Sequence, residues 1–145
     1  MRTEPLSLWV PGIALSERKR NVRLGSFNRT IDTPERRDWK AYVKALVATA
    51  CPEPFAPKVP LCVEVCFVRT PPAHPRKRHP RPQDLWPVTK PDLTNLWKAT
   101  EDAMNGVVYV DDAQICEELL TKTYGAPGLG PGVRVDVRML TEEEL

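Results

Sequence analysis

Between Thr70 and Pro91 the chain places seven prolines, at positions 71, 72, 75, 80, 82, 87 and 91, interleaved with Arg76, Lys77, Arg78 and Arg81. No regular element survives that composition, because each proline fixes φ and removes a backbone donor. A structureless loop of this length in a small domain is either functional or disordered. It leads directly into Asp92, so a role in guiding a polyanion toward that residue follows, and Trp86 is expected to anchor the loop to the body. The whole chain of 145 residues reads as one domain over 1–145, long enough to bury a core.

Ahead of the loop, Leu6, Leu8 and Val10 alternate, which predicts a first strand ending at Pro11-Gly12. Residues 13–30 carry Arg18, Lys19, Arg20, Arg23 and Arg29 with little periodicity, as expected of a long loop or ragged hairpin that touches phosphates. Thr33-Pro34 is a helix start, threonine as cap and proline at the first helical position. Trp39, Tyr42, Val43, Leu46, Val47 and Ala50 mark its apolar face, and Cys51-Pro52 ends it. Four prolines between 52 and 60 make a connector, and Leu61, Val63, Val65 and Phe67 alternate as a second strand.

After the loop, Leu93, Leu96, Trp97, Thr100, Ala103 and Met104 fall on one face at helical spacing, with Asp92 as N-cap and Asn105-Gly106 as the stop. Thr94, Lys98 and Asp102 recur every four residues on a polar face. Val107 to Val110 read as a short apolar strand ending in Asp111-Asp112. Residues 115–124 and 133–139 are two further strands joined by a Gly/Pro turn, expected to pair as a hairpin, and the tail 141–145 is expected to fray. The fold class is α+β: a small mixed sheet with two main helices packed on it, in the order β-α-β-loop-α-β-β.

The net charge of +2 conceals an asymmetry. Residues 18–44 hold nine basic and three acidic side chains, 69–90 six basic and one acidic, and 92–145 four basic and eleven acidic. A basic front half beside an acidic cluster suits an anionic polymer held by one part and cut by the other. No apolar run is long enough to span a membrane, and the N-terminus lacks a signal-peptide layout. The four cysteines form no CxxC pair and read as reduced thiols of a cytoplasmic protein; His74 and His79 read as solvated loop residues. Caps and i,i+4 pairs account for Asp92 and Asp102 without invoking function. They account poorly for Asp111-Asp112, where two like charges stand together and a bound hard cation would relieve the repulsion.

The stretch KPDLTNLWKATEDAMNGVVYVDDAQI closely resembles the signature of the RusA-type Holliday-junction resolvases, roughly KPDxDNLxKxxxDALNGxxxxDDxQI. Lys90, Pro91, Asp92, Asn95, Leu96, Lys98, Asp102, Ala103, Asn105, Gly106, Asp111, Asp112 and Gln114 all match. One position departs: many members carry a second aspartate two residues after the first, where this chain has Thr94. The resemblance implies a homodimeric endonuclease of cytoplasmic, bacterial or prophage origin. It would cut four-way DNA junctions by paired nicks with Mg²⁺, for which Mn²⁺ could substitute.

Asp92 and Asp112 are the first-choice metal ligands on that resemblance and Asp111 the second. Lys98 would stabilise the pentacovalent phosphate or the leaving oxygen, and Asp102 would orient Lys98. Thr94 and Asn95 are the positions whose part in the metal site the departure leaves open. DNA would be held by Arg76, Lys77, Arg78, Arg81 and Lys90, with Arg18, Lys19 and Arg20. Three other classes compete: a nuclease with wider taste for flaps or forks, a branched-DNA-binding protein that no longer cuts, and an RNA-binding module, which the thin aromatic content disfavours.

Overall fold

A computed structural model describes residues 1–16, 20–31, 33–74, 76–126 and 128–144, with backbone alone at 20–22, 24 and 27–31. The elements run β1 (Leu6–Pro11), β2 (Arg20–Leu24), β3 (Phe27–Ile31), α1 (Pro34–Ala50), β4 (Leu61–Arg69), α2 (Pro82–Leu85), α3 (Leu93–Met104), β5 (Ile115–Tyr124) and β6 (Gly132–Met139). Short 3-10 turns follow α3 at Asp112–Gln114 and β6 at Glu142–Glu144. The α+β class holds. Strands β1, β6, β4 and β5 form one mixed sheet in that order, antiparallel except for the parallel β4–β5 pair, while β2 and β3 form a separate antiparallel hairpin.

One sheet face is apolar because the alternating residues of its strands are: Leu6, Val10, Val63, Val65, Phe67, Val133, Val135 and Val137 are all buried. Trp39, Val43 and Val47 of α1 and Leu96, Trp97 and Met104 of α3 close over it. Thr33 caps α1 as its sequence demands, its Oγ1 accepting from the Arg36 amide, with Pro34 at the first position. The opposite sheet face is left to Glu64, Arg134 and Asp136.

Four expectations fail, each for a physical reason. Strands β5 and β6 do not pair as a hairpin; β6 inserts between β1 and β4, and β5 lies on the far side of β4. A Gly/Pro turn signals a reversal but not which strand receives the returning chain. Val107 to Val110 do not form a strand: Gly106, at φ 80°, ends α3, and its amide donates to the Tyr109 carbonyl at 2.8 Å, so the run becomes a tight turn that buries Val108 and Tyr109 completely. The proline loop contains one regular turn after all, α2. It is held by a reciprocal cap in which Asp84 accepts from the Arg81 amide and guanidinium, and Pro87 rather than the 55%-exposed Trp86 is buried. The tail to Glu144 is not frayed, since Glu144 accepts from Arg138 and from the Thr141 amide.

Candidate active site

The first-choice carboxylates stand at the two ends of α3. Asp92 occupies the N-cap position, but its carboxylate accepts from Asn95 Nδ2 at 2.7 Å instead of capping a backbone amide. The loop on either side of Lys90 is pinned to the sheet, because Lys122 of β5 donates to the carbonyls of Thr89 and Pro91 at 2.8 and 2.9 Å. Thr94 and Lys98 follow on the exposed face of α3. Among the described residues Lys98 makes no ion pair; Asp102, expected to orient it, instead lies 3.9 Å from Lys40 of α1.

At the other end, Asp111 and Asp112 leave the Tyr109 turn. Asp111 caps the 3-10 turn, accepting from the Ala113 amide at 3.0 Å. Gln114 is the buried peg of this segment. Its Oε1 accepts from the amides of Val110 and Asp111 at 3.0 and 3.2 Å, and its Nε2 donates to the carbonyls of Ala56 and Val59 at 2.8 and 3.1 Å. The acidic pair is thereby tied to the connector that follows α1.

Asp112 meets a carboxylate that residue-by-residue reading passed over, Glu101 of α3. Partial burial first, then hydrogen bonding with Asp112 and its charge, with Glu118 and Asp102 adding, push the Glu101 carboxyl up to about 7. The only sequence signal for Glu101 is spacing: it stands seven residues after Thr94 and three after Lys98, on the same helical face. Asp92 is nine positions before Glu101, about 14 Å of axial rise.

The raised Glu101 carboxyl beside Asp112 marks an excess of negative charge that a hard cation would offset. Among the described residues no group of three or more His, Cys, Asp or Glu side chains converges on a metal position. Mg²⁺, however, takes only one or two protein carboxylates and completes its shell with water and phosphate, so the pair fits it.

The sign of the Glu101 shift makes a prediction. A carboxyl whose folded pKa is raised loses stability as pH climbs from its unfolded value, near 4.5, to about 7, and the loss then stays constant. Glu101→Gln removes that loss. In EDTA it is expected to melt with the parent at pH 4.5 and about 3 °C above it at pH 8, after allowance for solvent screening. Calorimetry at the two pH values checks this, and equal melting at pH 8 would contradict the proton sharing.

The basic residues named from sequence spread widely. Arg76, Lys77, Arg78 and Lys90 are exposed, whereas Arg81 is engaged by Asp84, whose carboxyl that pairing lowers to about 2. Arg20 opens β2, and Arg18 and Lys19 lie outside the described residues. Of the cysteines, all free, Cys51 and Cys62 are buried, Cys66 is half-buried and Cys116 is exposed.

The model of the family described as endodeoxyribonuclease RusA matches residues 11–138, which takes in every element from the end of β1 to the end of β6. The chain belongs to the RusA endodeoxyribonuclease family. The family is one of hydrolases that act on DNA, and the resemblance of the Lys90–Gln114 stretch is the local expression of that membership. A Bacillus subtilis (strain 168) protein, YqaN, itself described as uncharacterized, is 39% identical over 54 residues. That match spans 37% of this chain and 36% of the relative. No helix among the described residues is long and apolar enough to cross a membrane.

Proposed function

We propose that this protein is a divalent-metal-dependent endodeoxyribonuclease that resolves four-way DNA junctions by symmetric nicks. The observation that carries the reading is the family match across residues 11–138, with the Lys90–Gln114 signature retained inside it. The enzyme acts in the cytoplasm as a homodimer, because a two-fold junction presents equivalent scissile phosphates to an isologous pair of subunits. Recognition rests on backbone and branched shape, to which Arg76, Lys77 and Arg78 of the exposed loop contribute.

Asp112 beside Glu101, with Asp111 in reserve behind its capping bond, would offer carboxylate to Mg²⁺ at one end of α3, and Asp92 would offer it separately at the other. The bound ion supplies a nucleophilic water near neutral pH and charge stabilisation at the phosphoryl oxygens. Lys98 places an ammonium on the same helical face, available to the developing charge of the pentacovalent phosphate. Gln114 fixes the backbone from which Asp111 and Asp112 project. Glu101, raised to about 7, would take up or release a proton beside Asp112 as that face changes charge.

Thr94 favours a second reading, a junction-binding protein that does not cut, since a hydroxyl is a poor Mg²⁺ ligand. A Mg²⁺ and Mn²⁺ titration of a synthetic four-way junction, a flap and a linear duplex separates the two. The native protein is expected to nick the junction in preference, and Thr94→Asp to lower the Mg²⁺ midpoint by roughly tenfold. Should the native protein fail at every metal concentration while Thr94→Asp cuts, the binding reading replaces this one.

A further inference from the structure

A groove of about 470 Å³ opens beside Asp92, walled by residues 13–16, the first turn of α1, the end of β4 and the Lys90–Asn95 segment. Three cations line it, Arg36, Arg69 and Lys90, and Asp92 is the one acid among its lining residues. Neither arginine is a solvated surface charge. Arg69, at the last position of β4, is half-buried, and its Nη1 donates to the Ala14 carbonyl at 3.0 Å. Arg36 donates from Nε to the Ser16 carbonyl at 2.7 Å and from Nη1 to Thr33 Oγ1 at 3.0 Å.

Each bond goes to a neutral oxygen. It fixes the guanidinium plane and leaves the positive charge whole. Among the described residues no carboxylate lies within ion-pair distance of either. Burial pushes the Arg69 pKa down, the mark of a cation taken partly out of water. Two half-buried, oriented guanidinium groups with no carboxylate partner among the described residues would gain from an anion that enters.

If the arginines served only to tie down residues 13–16, neutral donors would do so without the charge. The planar fork with donors to spare is instead matched to phosphate oxygens. Nearby, α3 begins without a side-chain cap, so its first amides add a positive field in the same direction.

We infer that Arg36 and Arg69, with Lys90, form a phosphodiester-binding subsite that holds the DNA strand at the phosphate next to the one cut beside Asp92. The inference rests on the nuclease reading and gives a DNA-contacting role to Arg36 and Arg69, whose side chains stand far apart in the sequence. The groove would set the register of the strand on the site, so that the arginines act through binding and position and not through bond making.

The test is the salt dependence of binding to an immobile four-way junction in EDTA, followed by fluorescence anisotropy. Arg36→Gln and Arg69→Gln should each reduce the slope of log affinity against log salt by about 0.9, and the double variant by about 1.8. Arg69→Lys, which keeps the charge, should retain the slope. Arg134→Gln, on the opposite sheet face, should leave it unchanged. A folded double variant, judged by its melting temperature, with an unchanged slope overturns the subsite. If Arg69→Gln frees residues 13–16 and melts early, Arg36→Gln decides alone, and an unchanged slope there is equally fatal. Junction cleavage by the native protein separates the layers: cutting with no slope change removes the subsite only, whereas a slope change without cutting leaves a DNA-binding groove and removes the nuclease reading.

Discussion

Asp112→Asn is expected to lower the single-turnover rate of junction nicking by at least about 10²–10³, the scale at which loss of one charge-stabilising group in a preorganised site acts. The neighbouring Glu101 gives the prediction its particular form. With Asp112 neutral, its charge and hydrogen bond no longer raise Glu101, which becomes more acidic while burial still holds it above the ordinary carboxylate range. The variant should therefore fold at least as well as the parent at pH 8 and bind the junction as tightly or more tightly, because negative charge near phosphate has been removed. Asp92→Asn should likewise abolish nicking with binding retained, but without stabilisation at high pH, since its carboxylate meets Asn95 and not another acid. Near-native cutting by either variant would refute its assignment. Equal pH dependence of melting in both would refute the pairing of Asp112 with Glu101.

Gln114→Leu is expected to cost about 3–4 kcal/mol of stability, about 10 °C in melting temperature. The replacement keeps size and removes chemistry: the amides of Val110 and Asp111 lose their acceptor, and the carbonyls of Ala56 and Val59 lose their donor, in a place where Gln114 is 7% exposed. Nicking at a temperature well below the transition should fall as well, because the backbone carrying the acidic pair is no longer fixed to residues 56–59. Gln114→Glu is the discriminating companion. It retains the acceptor for the two amides but sets a carboxylate against two carbonyls, so it should rescue little. Chemical denaturation and single-turnover nicking on the same preparations check both effects; a stable, active Gln114→Leu would mean that the peg is dispensable.

What the sequence disclosed and what it withheld divide along the range of the interactions. Local rules place α1 and the end of α3 because Thr33-Pro34 and Asn105-Gly106 act within one turn of helix, while Asp92 holds the N-cap position without capping an amide. Alternation places β1, β4 and β6, since period two is written in consecutive residues, whereas β5 alternates irregularly. The partner of β6 is not local: Val137 pairs with Leu6 on one side and Val63 on the other, and nothing near Val137 names either. The same holds in the site. The signature marks Gln114, yet its role appears only when the chain brings Ala56 and Val59 to it. Glu101 carries no local mark, and its weight appears only where the Tyr109 turn brings Asp112 back against it. Thr94 shows the opposite case, a departure plain in the sequence whose chemical weight only titration with metal reveals.

The position of β6 also fixes when this nuclease can come into being. Residues 132–139 are late in the chain but central in the sheet, and they alone join β1 to β4. Until they are made, the chain already carries the basic segments, the proline loop and both acidic elements, yet β1 has no partner and the apolar faces of α1 and α3 have half a floor. Sheet closure must then bridge more than a hundred residues of sequence between Leu6 and Val137, a slow, high-contact-order step. A chain that stops short of these residues thus leaves β1 unpaired and the apolar faces of α1 and α3 half covered, and the sheet is complete only with the strand made last of its four.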